Sequence, residues 1–229
     1  MSKIHPTAIV EDGATLGEDV EIGPYAHVGR DVRLGNGVTV GQGAIVEGHS
    51  TIGERCQIFP YALIGMKTQD LKYVEGSTSY VEIGDRSVIR EFTTVHLGTK
   101  DGEKTVIGRD CLIMAYCHAA LGVVIGDHVI MSNNAQLAGD VHVDEWAIIG
   151  GMAGTHHYDV IVVSHDRLFQ QCVVRQNGQG LVFVLLHDFT LTRSLVVDAT
   201  QVQHAMDDDP HEFGLVGDIE HLGIAADGV

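Results

Sequence analysis

The sequence is poor in the residue types that build several common classes of protein. It has 229 residues but only 4 prolines, and aromatic residues make up 6% of it. It has no run of about 18 apolar residues, so no membrane-spanning helix is predicted. The first residues, MSKIHPTAIVEDGA, lack the apolar stretch of a signal peptide. The 4 cysteines lack the C-x-x-C spacing of zinc ribbons and redox dithiols. We therefore expect a cytoplasmic location with reduced thiols.

Positive charge is also scarce. The chain has 14 lysines and arginines against 31 aspartates and glutamates, a formal net charge of -17. Such a surface repels phosphate backbones, so nucleic-acid binding is not expected. Hydrophobic residues make up 45% of the chain, which indicates a folded globular protein. Glycine is abundant, with 28 residues, and this disfavours a helical bundle because an interior glycine costs a helix about 1 kcal/mol.

A six-residue repeat governs the first two thirds of the chain. Every sixth residue is aliphatic over residues 4–64, and the position four further on is small or β-branched. The apolar pattern resumes over residues 83–95 and 107–149. A period of six fits neither an α-helix face nor a simple alternating strand. It predicts a prism of short strands whose tight corners favour glycine, asparagine and aspartate.

The predicted fold is therefore all-β, a left-handed parallel β-helix over residues 1–160. Successive coils stack at roughly 4.8 Å, like strands in a sheet, and bury their aliphatic residues against their neighbours. A coil cannot absorb extra residues, so the interruptions near 66–80 and 97–105 are expected to form external loops. Loops on a rigid scaffold are where binding residues gather. A generic β-sandwich is the alternative, but it does not explain so many hexads in register.

Several motifs in and around these loops are typical of one family. They are HPTAIV, IGPYAHVG, QDLKY followed by VEIGD, IRE with TVHLGT, NNAQLAG and VDEWAIIGGM. Over residues 3–158 the chain resembles the cytoplasmic acyl-ACP:UDP-N-acetylglucosamine O-acyltransferases, which begin lipid A synthesis. The resemblance implies a homotrimer with active sites in clefts between neighbouring prisms. It also implies transfer of a 3-hydroxyacyl group from acyl carrier protein to the sugar 3-hydroxyl, with no cofactor and no metal.

The same resemblance assigns residues to the substrates. In QDLKY, Asp70 and Lys72 would contact the sugar or its phosphates, with Gln69 adjacent, and a lysine suits a pyrophosphate as a compact cation. Gly139 would present its backbone N–H to the thioester oxygen, and His156 matches a cleft histidine. Structural roles stay open for these residues: a solvated loop lysine, a corner glycine and a surface histidine.

The chain departs from the family at the general base. His118 matches the first active-site histidine of the family, although a surface role stays open for it. The family base follows three positions later, and there this chain has Leu121, with Gly122 in place of an aspartate. A further family histidine is replaced by Asp140. Leucine cannot take a proton, and losing a general base costs about 10²–10⁴ in rate, so impaired activity is expected.

Residues 161–229 do not match the family and form an atypical C-terminal segment. LVFVLL and SLVVDA could be strands, and no lysine or arginine follows Arg193. Two explanations stay open, an alternative module or a shifted reading frame, and the joint loss of the repeat and the basic residues favours the second. The last histidines fit no standard metal-ligand spacing, so a partly disordered acidic tail is expected there.

Three other functions remain as alternatives. A catalytically silent β-helical scaffold, or a nucleotide-sugar-binding homologue, is supported by Leu121. A zinc hydratase of the γ-carbonic anhydrase type resembles this fold but needs histidines five residues apart, and Ile113 and Val123 stand at those distances from His118. An N-acyltransferase acting later in lipid A synthesis usually carries an extra N-terminal domain, whereas the hexads here begin at once.

Overall fold

The computed structural model describes residues 2–155, 160–164 and 171–175, and in these every regular element is a β-strand. The strands form three sheets that are the faces of a prism, and the chain visits the faces in turn. None of these residues lies in a helix long and apolar enough to cross a membrane. The expected fold class, an all-β left-handed parallel β-helix, is confirmed.

The first sheet has eight parallel strands. In spatial order they are β1 (Lys3–Ile4), β4 (Glu21–Ile22), β7 (Thr39–Val40), β10 (Gln57–Ile58), β13 (Val88–Ile89), β16 (Leu112–Ile113), β19 (Ile130–Met131) and β22 (Ile148–Ile149). The second sheet has seven: β2 (Ile9–Val10), β5 (His27–Val28), β8 (Ile45–Val46), β11 (Leu63–Met66), β14 (Thr94–His96), β17 (His118–Ala119) and β20 (Gln136–Leu137).

The third sheet has nine strands, of which the last is antiparallel. They are β3 (Thr15–Leu16), β6 (Arg33–Leu34), β9 (His49–Ile52), β12 (Tyr80–Ile83), β15 (Lys104–Ile107), β18 (Val124–Ile125), β21 (His142–Val143), β23 (Val160–Ser164) and β24 (Gln171–Arg175).

The repeat becomes one continuous core. Ile22 lies opposite Val40, and Val40 lies opposite Ile58, with each side chain at most 3% exposed. These three residues therefore stack on one inner face, as the six-residue period predicts. Fully burying one such side chain stabilises the fold by about 1.5–3 kcal/mol, and each coil gains this only from its neighbours.

The prism corners hold many side chains in a left-handed backbone conformation. Tyr61, Phe92 and Tyr116 have φ of 62°, 58° and 62° and follow one another along one corner. Their rings stack, with centroids 5.4 and 4.9 Å apart. A left-handed residue with a side chain costs about 1–2 kcal/mol, and the stacking of successive corners offsets part of that cost.

Both loops leave the prism at the corner between the second and third sheets, here called the loop corner. They comprise residues 67–79, between β11 and β12, and residues 97–103, between β14 and β15. Gly65 lies just before the point where the 67–79 loop leaves the prism. The pairing of β11 with β14 shifts around it, and its φ is +74°. A Cβ at Gly65 would lie far inside 3.0 Å of Glu47 O and Ser50 Oγ, so only glycine fits.

The described coils continue past the end of the repeat. β23 pairs in parallel with β21, and Ile161 is 1% exposed in the core. β24 then pairs antiparallel with β23. β23 spans the predicted boundary at residue 160, and the division of the chain at that point remains a prediction. LVFVLL, SLVVDA and the acidic tail lie outside the described residues.

Candidate active site

Outward side chains of the second sheet and both loops meet at the loop corner. Thr94, His118 and Gln136 occupy the same strand position in β14, β17 and β20, so they stand in one column. The 67–79 and 97–103 loops leave beside that column. Each of these three residues follows a turn and precedes a buried residue, so the regular register of the sheet aligns their side chains.

His118 lies in a small cluster of polar side chains. Its Nδ1 is 2.7 Å from the hydroxyl oxygen of Thr94. The ring of His96 packs against it edge-on, with the centroids 4.7 Å apart, and His96 is only 6% exposed. Sequence reasoning identified His118 but missed Thr94 and His96, although both belong to the TVHLGT motif.

Both histidines are neutral at neutral pH. Burial lowers the pKa of His96 to about 4, with a smaller effect from the nearby His118. Burial also lowers the pKa of His118, and a hydrogen bond to the Thr94 backbone opposes that change. Two neutral imidazoles in contact can accept a proton, whereas two imidazolium ions would repel each other.

At the loop corner, residues 121 and 139 lie one coil apart. The N–H of Asp140 donates to the carbonyl of Leu121 at 2.9 Å, and the Leu121 side chain is 7% exposed. Gly139 is buried, and its N–H has no acceptor among the residues the structure describes. A buried N–H of this kind is suited to bind an oxyanion.

Gly122 faces two carboxylates. Its φ is +64°, and a Cβ there would lie 2.5 Å from Asp140 Oδ1 and 3.4 Å from Glu103 Oε1. Its N–H donates to the hydroxyl of Thr105 at 3.1 Å. Asp140 and Glu103 therefore crowd the place where the resemblance implies an aspartate.

Glu103 also shapes the second loop. Its Oε2 accepts hydrogen bonds from the backbone N–H and the hydroxyl of Thr99, and from the Lys100 N–H at 3.1 Å. The two loops are linked because the Ser79 hydroxyl donates to Gly98 O at 2.9 Å. These bonds fix the shape of the second loop and tie the two loops to each other.

The first loop presents one lysine, Lys72, that has no ion-pair partner in the part of the chain that the structure describes. Lys72 is exposed, and among the described residues no carboxylate pairs with its Nζ. Lys67, in contrast, binds Glu75 at 2.7 Å and lies over the Tyr73 ring at 4.4 Å. Lys72 is therefore the lysine of this loop that is available to an anionic ligand.

Asp70 and Gln69, the other loop residues predicted to bind substrate, differ in their hydrogen bonding and exposure. Asp70 Oδ1 accepts from the Lys72 N–H at 2.8 Å, and the Asp70 N–H bonds to the Thr68 hydroxyl at 3.2 Å, so Asp70 holds the turn. Gln69 is exposed. His156 lies outside the described residues, and its place in the cleft remains a prediction.

Metal or thiol chemistry finds no support in the described part of the chain. It contains no group of three or more histidine, cysteine or acidic side chains that could hold a metal ion. Cys56, Cys111 and Cys117 are buried free thiols. Burial raises the pKa of Cys56 and of Cys111 to about 11, which makes these two poor nucleophiles.

Comparison with known proteins decides the family. A family described as bacterial transferase hexapeptide (six repeats) matches residues 13–48 and 104–139. The solved structure of UDP-N-acetylglucosamine acyltransferase from Campylobacter jejuni is 36% identical with a TM-score of 0.66, and the match covers 77% of this chain and 75% of that one. The chain belongs to the UDP-N-acetylglucosamine acyltransferase family.

Two further members of the family are closer in sequence. The acyl-[acyl-carrier-protein]–UDP-N-acetylglucosamine O-acyltransferase of Burkholderia lata is 50% identical over 169 residues, which is 73% of this chain and 64% of that protein. The enzyme of the same name from Campylobacter concisus is 44% identical over 159 residues, 69% of this chain and 61% of that protein. The chain thus matches less than two thirds of the length of these relatives, and the roles of its site residues remain predictions.

Proposed function

We propose that the protein transfers a 3-hydroxyacyl group from acyl carrier protein to the 3-hydroxyl of UDP-N-acetylglucosamine, the first step of lipid A biosynthesis. The support is the loop corner of a member of this family, where Lys72 has no ion-pair partner and the buried Gly139 N–H has no acceptor among the described residues. Leu121 makes the proposed enzyme a slow one. A cytoplasmic location is part of the proposal.

Four of the predicted residues have roles in the proposed reaction. Lys72 binds the diphosphate, and Gln69 bonds to the sugar, while Asp70 holds the loop in shape. The Gly139 N–H stabilises the oxyanion that forms when the sugar hydroxyl attacks the thioester carbonyl. The carrier thiol leaves, and the proton of the hydroxyl passes to the protein and then to the thiol.

We expect Lys72→Ala to raise the KM for UDP-N-acetylglucosamine about 10-fold or more, the scale of one charge-assisted hydrogen bond. The change in kcat should be small, because Lys72 binds substrate without taking part in the chemistry. Initial rates of thiol release from 3-hydroxyacyl carrier proteins of several chain lengths measure both constants. Lys67→Ala is the matched control, since Lys67 is engaged by Glu75 and Tyr73.

The outcomes separate the competing functions. A wild-type protein that binds UDP-N-acetylglucosamine in a calorimeter but releases no thiol is the nucleotide-sugar-binding homologue, which Leu121 favours. A protein that neither binds nor transfers is a scaffold. Equal losses in the two lysine variants would mean that the loop has been disturbed and that Lys72 has no special role.

The outer side of the first sheet supports a homotrimer as part of the proposal. Its outward residues are polar in the first four strands and apolar in the last four, where they form a stripe on one face. Ile148, at the end of this apolar stripe, is 45% exposed. A contiguous apolar strip on a rigid face is typical of a surface that other subunits cover. The apolar stripe consists of Val88, Leu112, Ile130 and Ile148.

We expect Ile130→Glu to convert a trimer to monomers at micromolar concentration, because it would bury a charge in the middle of the apolar stripe. Sedimentation velocity measures the change. Thr39→Glu, at the same strand position in the polar half of the face, should leave the trimer intact. A wild-type monomer, or a trimeric Ile130→Glu variant, would contradict this interface.

A further inference from the structure

We infer that His118 is the proton acceptor for the sugar hydroxyl in this chain, with Thr94 setting its tautomer and His96 covering part of its ring. The inference rests on the proposed function and deepens it. In this chain His118 removes the proton from the sugar hydroxyl, because position 121, the base position of the family, has no titratable side chain.

Thr94 faces Nδ1 of His118, with its hydroxyl oxygen 2.7 Å from that nitrogen. A hydroxyl can accept a hydrogen bond as well as donate one, and we assign the proton of the neutral ring to Nδ1, which then donates to the Thr94 hydroxyl oxygen. In that tautomer Nε2 keeps its lone pair, and it has no partner among the residues the structure describes.

The surroundings of His118 keep its ring neutral. His96 is the titratable side chain that contacts it, and burial keeps His96 uncharged at neutral pH. From β20 the facing residue is Gln136, whose amide is uncharged and donates to Tyr116 O at 2.9 Å. Burial lowers the pKa of His118 below its ordinary value of 6.5, so the neutral base predominates at neutral pH.

The other nearby groups are weaker candidates. Leu121 has no proton-accepting atom. Glu103 is occupied by the backbone of its own loop. Asp140 lies beside Gly122, but carboxylates are in general weaker bases than a neutral imidazole.

The proposed transfer begins at the 3-hydroxyl of the sugar. His118 Nε2 takes the proton of the 3-hydroxyl while that oxygen forms a bond to the thioester carbonyl carbon. The Gly139 N–H stabilises the resulting oxyanion. The oxyanion collapses, the carbon–sulfur bond breaks, and the carrier thiolate takes the proton back from Nε2. An ester and a free thiol are the products, and His118 returns to its starting form.

Kinetics give the first test. We expect His118→Gln to lower kcat about 100-fold or more, the scale of a general base, with the affinity for UDP-N-acetylglucosamine unchanged in a calorimeter. Thr94→Val should lower kcat by a smaller factor, and Thr94→Ser, which keeps the hydroxyl, should restore it. His27→Gln is the control, because His27 has the same strand position in β5 of the same sheet but contacts Glu11 and Glu47.

The kinetic outcomes are distinguishable. A wild type that transfers acyl groups while His118→Gln keeps full kcat overturns the inference and leaves the proposed function standing. A wild type without any transfer overturns both. The acid limb of the kcat/KM profile should lie below pH 6.5, and an unchanged limb in His118→Gln would also overturn the inference.

Nitrogen NMR of isotope-labelled histidine gives a second test that needs no turnover. At neutral pH we expect His118 to be neutral with its proton on Nδ1, and Thr94→Val to increase the other tautomer. A charged ring, or a proton on Nε2 in the wild type, overturns the inference whatever the activity. This measurement also covers the case in which His118→Gln fails to fold.

Discussion

Leu121→His is expected to raise kcat for acyl transfer about 100-fold in a His118→Gln chain, which lacks the base assigned above, and this is the lower end of what a general base contributes. The Asp140 N–H to Leu121 O hydrogen bond places residue 121 one coil from the Gly139 N–H. A histidine there would accept the proton close to the group that stabilises the oxyanion. Thiol release at saturating UDP-N-acetylglucosamine measures the gain, which should appear in kcat.

The structure changes how this variant should be built. Adding Gly122→Asp to orient the new imidazole would place a Cβ 2.5 Å from Asp140 Oδ1, beside two carboxylates. We therefore expect Gly122→Asp to help only when Asp140 is also shortened to Ala, which removes Oδ1. Leu121→Gln, similar in size but without a basic nitrogen, is the control and should show no gain. An unchanged kcat in Leu121→His would mean that position 121 is not a base position in this chain.

Gly65→Ala is expected to lower the free energy of unfolding by about 2–5 kcal/mol, the sum of a left-handed backbone penalty and overpacking. The new Cβ would press on Glu47 O and Ser50 Oγ, both in the adjacent coil. Because Gly65 directs the chain into the 67–79 loop, we also expect a higher KM for the nucleotide sugar. Urea unfolding and substrate kinetics measure the two effects.

Gly76→Ala separates the left-handed backbone penalty from the effect of overpacking. Gly76 has φ +91°, but nothing lies within 4 Å of the Cβ that alanine would add. It should therefore cost only the backbone part, about 1–2 kcal/mol. Equal losses in the two variants would show that the contacts of Gly65 do not matter.

The fold was predictable because its core residues recur at a fixed spacing along the sequence. Ile22, Val40 and Ile58 are eighteen residues apart, and the register of the first sheet follows from that spacing. Gly65 was not predictable in the same way. It looks like the other glycines that follow an aliphatic residue, and only the approach of Glu47 and Ser50 makes it a bulge.

The site was predictable in part. His118 stands in a recognisable motif, but its contact with Thr94 spans 24 residues, because the 97–103 loop adds to the regular coil. A search for pairs of residues one regular coil apart, eighteen residues, therefore misses this contact. QDLKY singled out Lys72, but the contacts of Lys67 with Glu75 and Tyr73 are visible only in the structure.

The antiparallel strand β24, at the end of the third sheet, affects whether further coils can be added to the prism. A stack of parallel strands exposes hydrogen-bonding groups at its last edge, and another chain can add to such an edge. β24 occupies that edge along all five residues of β23 and runs in the opposite direction. The next strand on that face would no longer follow the winding of the coils. The reversal of chain direction on this face thus interrupts the parallel winding, so a second prism could not stack there in the register of the coils.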